Sequence, residues 1–343
     1  MNAPLADLGV SNPVLAAPMA GGPGTPALVV AAARADSLGF VAAGYKDIAA
    51  LTGQIDEVRA SGVPFGVNLF APGPHPVDPA AFEDYVRAIM PEAQAHGLDL
   101  GTLGIIEDDD HWREKIDLLL SQPVPAVSFT FALPDAQVIR SLRAAGTLVL
   151  QTVTSPAEAA AAAEAGVDML IVQASAAGGH SGTFTPKDTP AAIPLPQLLA
   201  EVRQSVDLPL IGAGGLATAD QVAEAVRAGA GAAMVGTALL RADEAGTSLP
   251  HRTALTSPDS RGTTVTRAFT GRPARALRNR FTDSYSDIAP HGYPALHHLT
   301  SPMRKAATAA QDPERIHLWA GTGYRHTRDE STARILQELA STL

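Results

Sequence analysis

The sequence predicts an α/β fold, a (β/α)8 TIM barrel with a smaller C-terminal cap or lid segment. Three observations carry this reading. Short apolar runs alternate with Ala-rich helical stretches along the chain. The runs are apolar throughout, as strands of a parallel sheet are when both faces are buried. Eight such runs occur, which favours a closed barrel over an open doubly wound sheet, and 343 residues suit a barrel with an attachment.

The candidate strands are 14–18, 39–43, 65–69, 126–131, 147–152, 168–173, 208–213 and 232–237. The helices between them carry start and stop signals. Thr154-Ser155-Pro156 places a hydroxyl cap and a proline ahead of an Ala-rich stretch that Gly166 ends. Thr218-Ala219-Asp220-Gln221 opens a second helix, which ends at Gly229. The two stretches resemble each other and read as successive units of one barrel. Two segments break the rhythm. Residues 72–124 carry helices of their own, at 79–96 and 111–121. Residues 241–310 are rich in Arg, Thr, Pro and His, contain no strand-like run, and read as a cap over the barrel mouth. The expected organisation is therefore a barrel over 1–240 with a helical insertion at 72–124, a cap over 241–310, and a closing helix within 311–343 that starts near Ser331.

Composition narrows the function. Hydrophobic residues make up 46% and charged residues 17%, which excludes a disordered chain. Cysteine is absent, so there is no disulfide framework, thiolate nucleophile or zinc-thiolate site. A net charge of −10 argues against nucleic acid or an anionic membrane as partner. No apolar run reaches the ~18 residues of a membrane span. Met1-Asn2-Ala3-Pro4 lacks the basic start of a secretory signal, so a cytoplasmic protein, monomer or homodimer, is expected. The histidines show no H-E-x-x-H spacing, and no metal site is expected. Asp108-Asp109-Asp110-His111 reads as the cap of the helix that follows.

In such a barrel the site lies at the C-terminal ends of the strands. Those ends, including Met19, Asn68, Gln173, Gly214, Gly215 and Thr237, are rich in Gly, amide and hydroxyl groups, which suit a flat heterocycle and its phosphate. The loops at 212–216 (GAGGL) and 235–240 (VGTALL) follow the last two strands, where barrels bind phosphate through backbone N–H groups. Tight turns alone would explain one glycine pair; two such loops in these two places favour phosphate. The segment 173–184 (QASAAGGHSGTF) sets His180 beside Gly178 and Gly179 in a small, polar loop. That context places the imidazole at the barrel mouth, positioned to move a proton or steady an anion. Residues 261–280 hold six Arg and no acidic residue. They form either a solvated face or a set from which one or two Arg hold an anionic substrate or phosphate.

Taken together, APMAGG (17–22), PFGVNLF (64–70), VSFTFALP (127–134), AGGHSGTF (177–184), AGGLAT (213–218), GTALL (236–240) and TRAFTGRPARALRNRF (266–281) resemble the nitronate monooxygenase family, formerly called 2-nitropropane dioxygenases. The match runs through nearly the whole chain, and it is most similar to the class I branch. The resemblance implies an FMN-binding barrel that oxidises alkyl nitronates such as propionate 3-nitronate with O2 to a carbonyl compound and nitrite. It places Met19 and Ala20 near the flavin ring and adds Asn68, Gln173 and Gly178. Gly215 with Met234, Val235, Gly236 and Thr237 would lie at the phosphate. His180 falls at the catalytic position. Tyr293 lies in a segment that resembles a lid closing the substrate pocket, and Tyr293 and Lys305 are the substrate residues this implies, with Arg304 beside Lys305 in sequence. Ser181 stands where many relatives carry Arg. Two flavin rivals share the fold, an enoyl-thioester reductase and an NAD(P)H:quinone reductase. A flavin-free sugar-phosphate isomerase or epimerase would use the same phosphate loops.

Overall fold

The structure, a computed structural model, describes residues 3–73 and 75–343. Met1 and Asn2, at the start of the expected barrel segment, and Pro74, in the 72–124 insertion, lie outside the described residues. The chain runs α1 (Ala3–Asp7), β1 (Val14–Ala16), α2 (Pro26–Arg34), β2 (Phe40–Ala42), α3 (Ile48–Ala60), β3 (Gly66–Phe70), α4 (Pro79–Gln94), α5 (Trp112–Ser121), β4 (Ala126–Thr130), α6 (Ala136–Ala144), β5 (Leu148–Val153), α7 (Pro156–Ala165) and β6 (Met169–Gln173). It continues through β7 (Gly179–His180), α8 (Leu195–Arg203), β8 (Leu210–Ala213), α9 (Ala219–Arg227), β9 (Ala232–Val235), α10 (Leu249–Thr256), β10 (Thr263–Thr266), β11 (Ala274–Leu277), α11 (Arg280–Tyr285), α12 (Ala295–Ala309) and α13 (Thr332–Leu339).

Each of the eight apolar runs becomes a strand of one parallel sheet, in the order β1-β9-β8-β6-β5-β4-β3-β2. A parallel bridge between Ala16 and Gly39 joins the two ends and closes the barrel. Side chains alternate across the wall as the strand period requires. Leu15, Phe40, Leu150, Met169, Ile171 and Ile211 fill the interior, and Leu5 and Val10 belong to the same cluster. Val14, Val67, Val127, Val149, Leu170 and Val172 face outward into the layer shared with the helices. Caps fix the helices as expected. Ser155 and Thr218 accept from the N–H groups of Glu158 and Gln221, and Gly166 ends α7 in the left-handed region at φ 90°.

The insertion divides: α5 packs on the barrel through Ile116 and Leu119, whereas α4 packs on the C-terminal segment. Phe82, Tyr85 and Ile89 of α4 share a core with Phe269, Phe281, Leu296 and Met303. The Asp108–His111 run does not cap α5: its flanking residue His111 has φ 55° and no side-chain capping bond. Asp110 instead accepts from the backbone N–H of Tyr45 at 2.9 Å and pairs with Lys115 at 2.8 Å. Lys115 is 1% exposed, so the carboxylate is drawn to a buried charge rather than to the helix end.

Residues 241–310 also differ from expectation, because they do contain strands. β10 and β11 form an antiparallel hairpin, and β11 pairs with β7 in a separate three-stranded sheet. The runs TTVT and ARAL escape a hydrophobic reading because the sheet is only partly buried and its polar side chains bond locally. Arg275 donates to the Ser175 carbonyl at 2.6 Å and to Thr263 Oγ1 at 3.0 Å. His297 and His298 lie on α12.

Candidate active site

A cavity of about 300 Å³ opens at the C-terminal ends of the barrel strands, within the size range of small-molecule sites. The sequence-predicted residues Met19, Ala20, Asn68, Gln173, Gly178, Gly179, His180, Gly214, Gly215, Met234, Val235, Gly236 and Thr237 all line it.

At one end lie the turns after β8 and β9. Gly214 and Gly215 take φ +107° and +77°, which L side chains rarely adopt. A Cβ on Gly214 would lie 2.7 Å from the Ala174 carbonyl. Among the described residues no acceptor takes the backbone N–H of Gly215 or Gly236. Free amides of this kind are able to donate to an anion. Gly178 serves a different purpose. A Cβ there would lie 2.5 Å from the Gly321 nitrogen, so the glycine lets segment 319–322 pack against the loop. Gly178→Ala is expected to displace that backbone at a cost of about 1–3 kcal/mol. Calorimetry should show a melting temperature lowered by several degrees.

His180 sits deeper than its small, polar loop suggests. It is a residue of β7, ringed by Trp319, Phe131 and Tyr293 at centroid distances of 5.2, 5.5 and 5.8 Å. Its Nε2 lies 2.9 Å from Thr270 Oγ1. Gln173 fixes the loop from below: its Nε2 donates to the His180 carbonyl at 3.1 Å, and its Oε1 accepts from Gly182 N–H at 2.7 Å. Both ends of that amide are thus engaged in holding the imidazole in place. Asn68 donates to Ser128 Oγ and Thr130 Oγ1 at 2.9 and 3.0 Å, and no described donor engages its Oδ1.

Burial, with Arg272 and Arg304 nearby, lowers the His180 pKa to about 3. His251, held down by burial, falls to about 4. His297 falls to about 2 through burial and then Arg304. These rings are neutral at physiological pH. Two outcomes follow. Any reaction that depends on His180 should show no rate limb from protonation of that ring between pH 5 and 8. The unfolded chain takes up protons near pH 6.5 while these folded rings do not, so stability present above that pH is lost as pH falls toward 4. The slope is at most about 1.4 kcal/mol per pH unit for each histidine. Melting temperatures at pH 7.5, 6 and 5 will measure it; an unchanged value would show these rings protonated in the fold.

Sequence reading named Arg304 only as a neighbour of Lys305. Arg304 is 6% exposed and lines the cavity. It donates to Thr300 Oγ1 at 3.0 Å, His297 Nδ1 at 3.2 Å, the His297 carbonyl at 2.9 Å and His317 Nδ1 at 3.3 Å. All four are neutral, and no described carboxylate pairs with it. Burial lowers its pKa to about 10, so it stays a cation. Lys305, the neighbouring candidate, is exposed and off the cavity wall. The signal was present: Arg304 falls in the buried stripe of Leu296, Thr300, Met303 and Ala307 on α12, whereas Lys305 points away. Tyr293 stands behind the wall, its ring against His180 and Phe131.

The six Arg of 261–280 do not line the cavity. Arg261 and Arg278 pair with Asp283, and Arg280 pairs with Glu92. Arg267 binds the carbonyls of 186–188. Arg272 stacks on Phe131 with 4.0 Å to the centroid and binds the Phe131, Ser181 and Thr183 carbonyls, stitching the His180 loop down.

No group of three His, Asp or Glu side chains that could hold a metal occurs among the described residues. No described helix is long and apolar enough to cross a membrane.

The family model for nitronate monooxygenase matches residues 2–342. A probable nitronate monooxygenase of Staphylococcus aureus (strain Newman) is 34% identical over 324 residues, covering 93% of this chain and 90% of that protein. One of Staphylococcus saprophyticus is 32% identical over 338 residues, covering 97% and 94%. Among solved structures, nitroalkane oxidase from Streptomyces ansochromogenes superposes with a TM-score of 0.93 at 45% identity, covering 99% of this chain and 97% of that one. FabK from Thermotoga maritima shares the fold at a TM-score of 0.77 and 23% identity, covering 99% and 96%.

Proposed function

The chain belongs to the nitronate monooxygenase family, an oxidoreductase family, and from that premise we propose that it uses FMN to oxidise alkyl nitronates of the propionate 3-nitronate kind with O2. The C=N bond of the nitronate gives way to a carbonyl, and nitrite leaves. The observation that carries this reading is Arg304, a buried guanidinium in the cavity wall with no carboxylate partner. A buried cation without a counter-ion calls for an anionic ligand. A nitronate carries its negative charge largely on the nitro oxygens, and because it arrives already deprotonated the site needs no base to make it.

The residues present fit FMN. The free N–H groups of Gly215 and Gly236 suit the phosphate, and Gly214 and Thr237 flank them. Met19, Ala20 and Asn68 present a flat, partly polar wall to the ring. Bound FMN supplies the electron acceptor that protein side chains lack. His180, neutral and pinned through Gln173 and Thr270, orients the nitronate and steadies the charge on the departing nitrite. Phe131, Tyr293 and Trp319 keep water from that imidazole. Arg304 sets the positive potential of the pocket.

The test is a visible spectrum of the purified protein under anaerobic conditions. A flavin spectrum that changes on addition of propionate 3-nitronate and not on addition of NADH, with nitrite formed once air is admitted, supports the reading. Rapid bleaching by NADH with no response to the nitronate would make the protein a reductase. A colourless protein that takes up no FMN would remove both.

A further inference from the structure

His297 is one of four imidazoles that line the cavity, and its proton can be located by elimination. Arg304 Nη2 lies 3.2 Å from His297 Nδ1. A guanidinium carries only donors, so Nδ1 must be the bare nitrogen. Desolvation and the cation beside it keep the ring neutral. The single ring proton therefore sits on Nε2, and no described residue accepts a hydrogen bond from it.

The ring is also held in its plane. His297 stacks on Tyr45 with centroids 4.0 Å apart and planes 2° from parallel. Tyr45 has φ 67°, an uncommon value for a non-glycine residue. The bond from its N–H to Asp110, itself paired with buried Lys115, keeps it there. The 72–124 insertion thus reaches the site through Tyr45.

We propose that His297 is a substrate-binding residue whose Nε2–H donates to an oxygen of the nitronate, with its tautomer set by Arg304. The inference rests on the nitronate reading above. Four of the five Arg304 N–H groups already have acceptors in the protein. The guanidinium therefore has one N–H left for the ligand, and beside serving as its counter-charge it polarises this imidazole. A donor backed by a fixed cation bonds more strongly as charge gathers on the departing nitrite.

The experiment compares the FMN-loaded wild type with His297→Leu and His297→Gln. Gln keeps a side-chain N–H near the position of Nε2; Leu keeps bulk without a donor. Initial rates with propionate 3-nitronate should fall about 10²-fold in kcat/KM for Leu and recover most of that loss for Gln, with flavin content unchanged. Nitrite, titrated through the flavin spectrum, should bind more weakly to Leu than to Gln or wild type. Nitrogen-15 spectra of histidine-labelled wild type should show His297 protonated at Nε2. A Leu variant within about threefold of wild type, a Gln variant no better than Leu, or an Nδ1-protonated ring would each overturn the proposal. A wild type that forms no nitrite from the nitronate overturns the function reading instead. The nitrite titration and the nitrogen spectrum need no turnover and still judge His297.

Discussion

His180→Ala is expected to lower kcat/KM for nitronate oxidation by about 10²- to 10⁴-fold while the protein still binds FMN. The imidazole is neutral, half-buried and aimed by three independent holds: Gln173 on its carbonyl, Thr270 on Nε2, and the aromatic ring of Phe131, Tyr293 and Trp319. Alanine keeps the β7–β11 pairing, which is made by backbone, and removes only the ring. The check is steady-state rates beside flavin content by absorbance. A variant that loses flavin would show His180 to be structural, and one that keeps full rate would move the chemistry elsewhere in the cavity.

Arg304→Met is expected to lower kcat/KM for the nitronate by about 30- to 1,000-fold, mainly through KM, because the anionic substrate loses its buried counter-charge. The same change should leave the melting temperature of the flavin-free protein unchanged or raise it. A buried charge without an opposite partner costs stability, and a methionine of similar bulk does not carry that cost. Loss of affinity together with loss of stability would mean that Arg304 holds α12 in place rather than serving the ligand. A fall in stability alone would remove it from the site.

The barrel was legible because its strands are buried on both faces and so read as unbroken apolar runs. The glycine turns after β8 and β9 and the His180 loop were legible because strained turns need glycine, as φ +107° at Gly214 shows. The β10–β11 hairpin was not. Its strands carry Thr and Arg that bond to nearby groups, so neither apolar runs nor alternation mark them. Arg-rich sequence at 261–280 suggested anion binding, yet sequence alone does not show that Asp283, Glu92 and a set of carbonyls take up those cations. Arg304 was passed over for Lys305 because a charged residue in a helix reads as solvent-facing until its register with Leu296, Thr300 and Ala307 is followed. The role of Asp110 required a contact 65 residues away, with Tyr45, which no local pattern encodes.

The strand that carries His180 hydrogen-bonds to the cap hairpin and not to a barrel strand. Any outward swing of β10 and β11 would therefore carry the imidazole with it. Admitting bulk water and dismantling the reactive arrangement are then one event. For the reaction proposed above, which would bring a reducing substrate together with oxygen, this arrangement would act as a safety interlock: an open door leaves the machine disarmed.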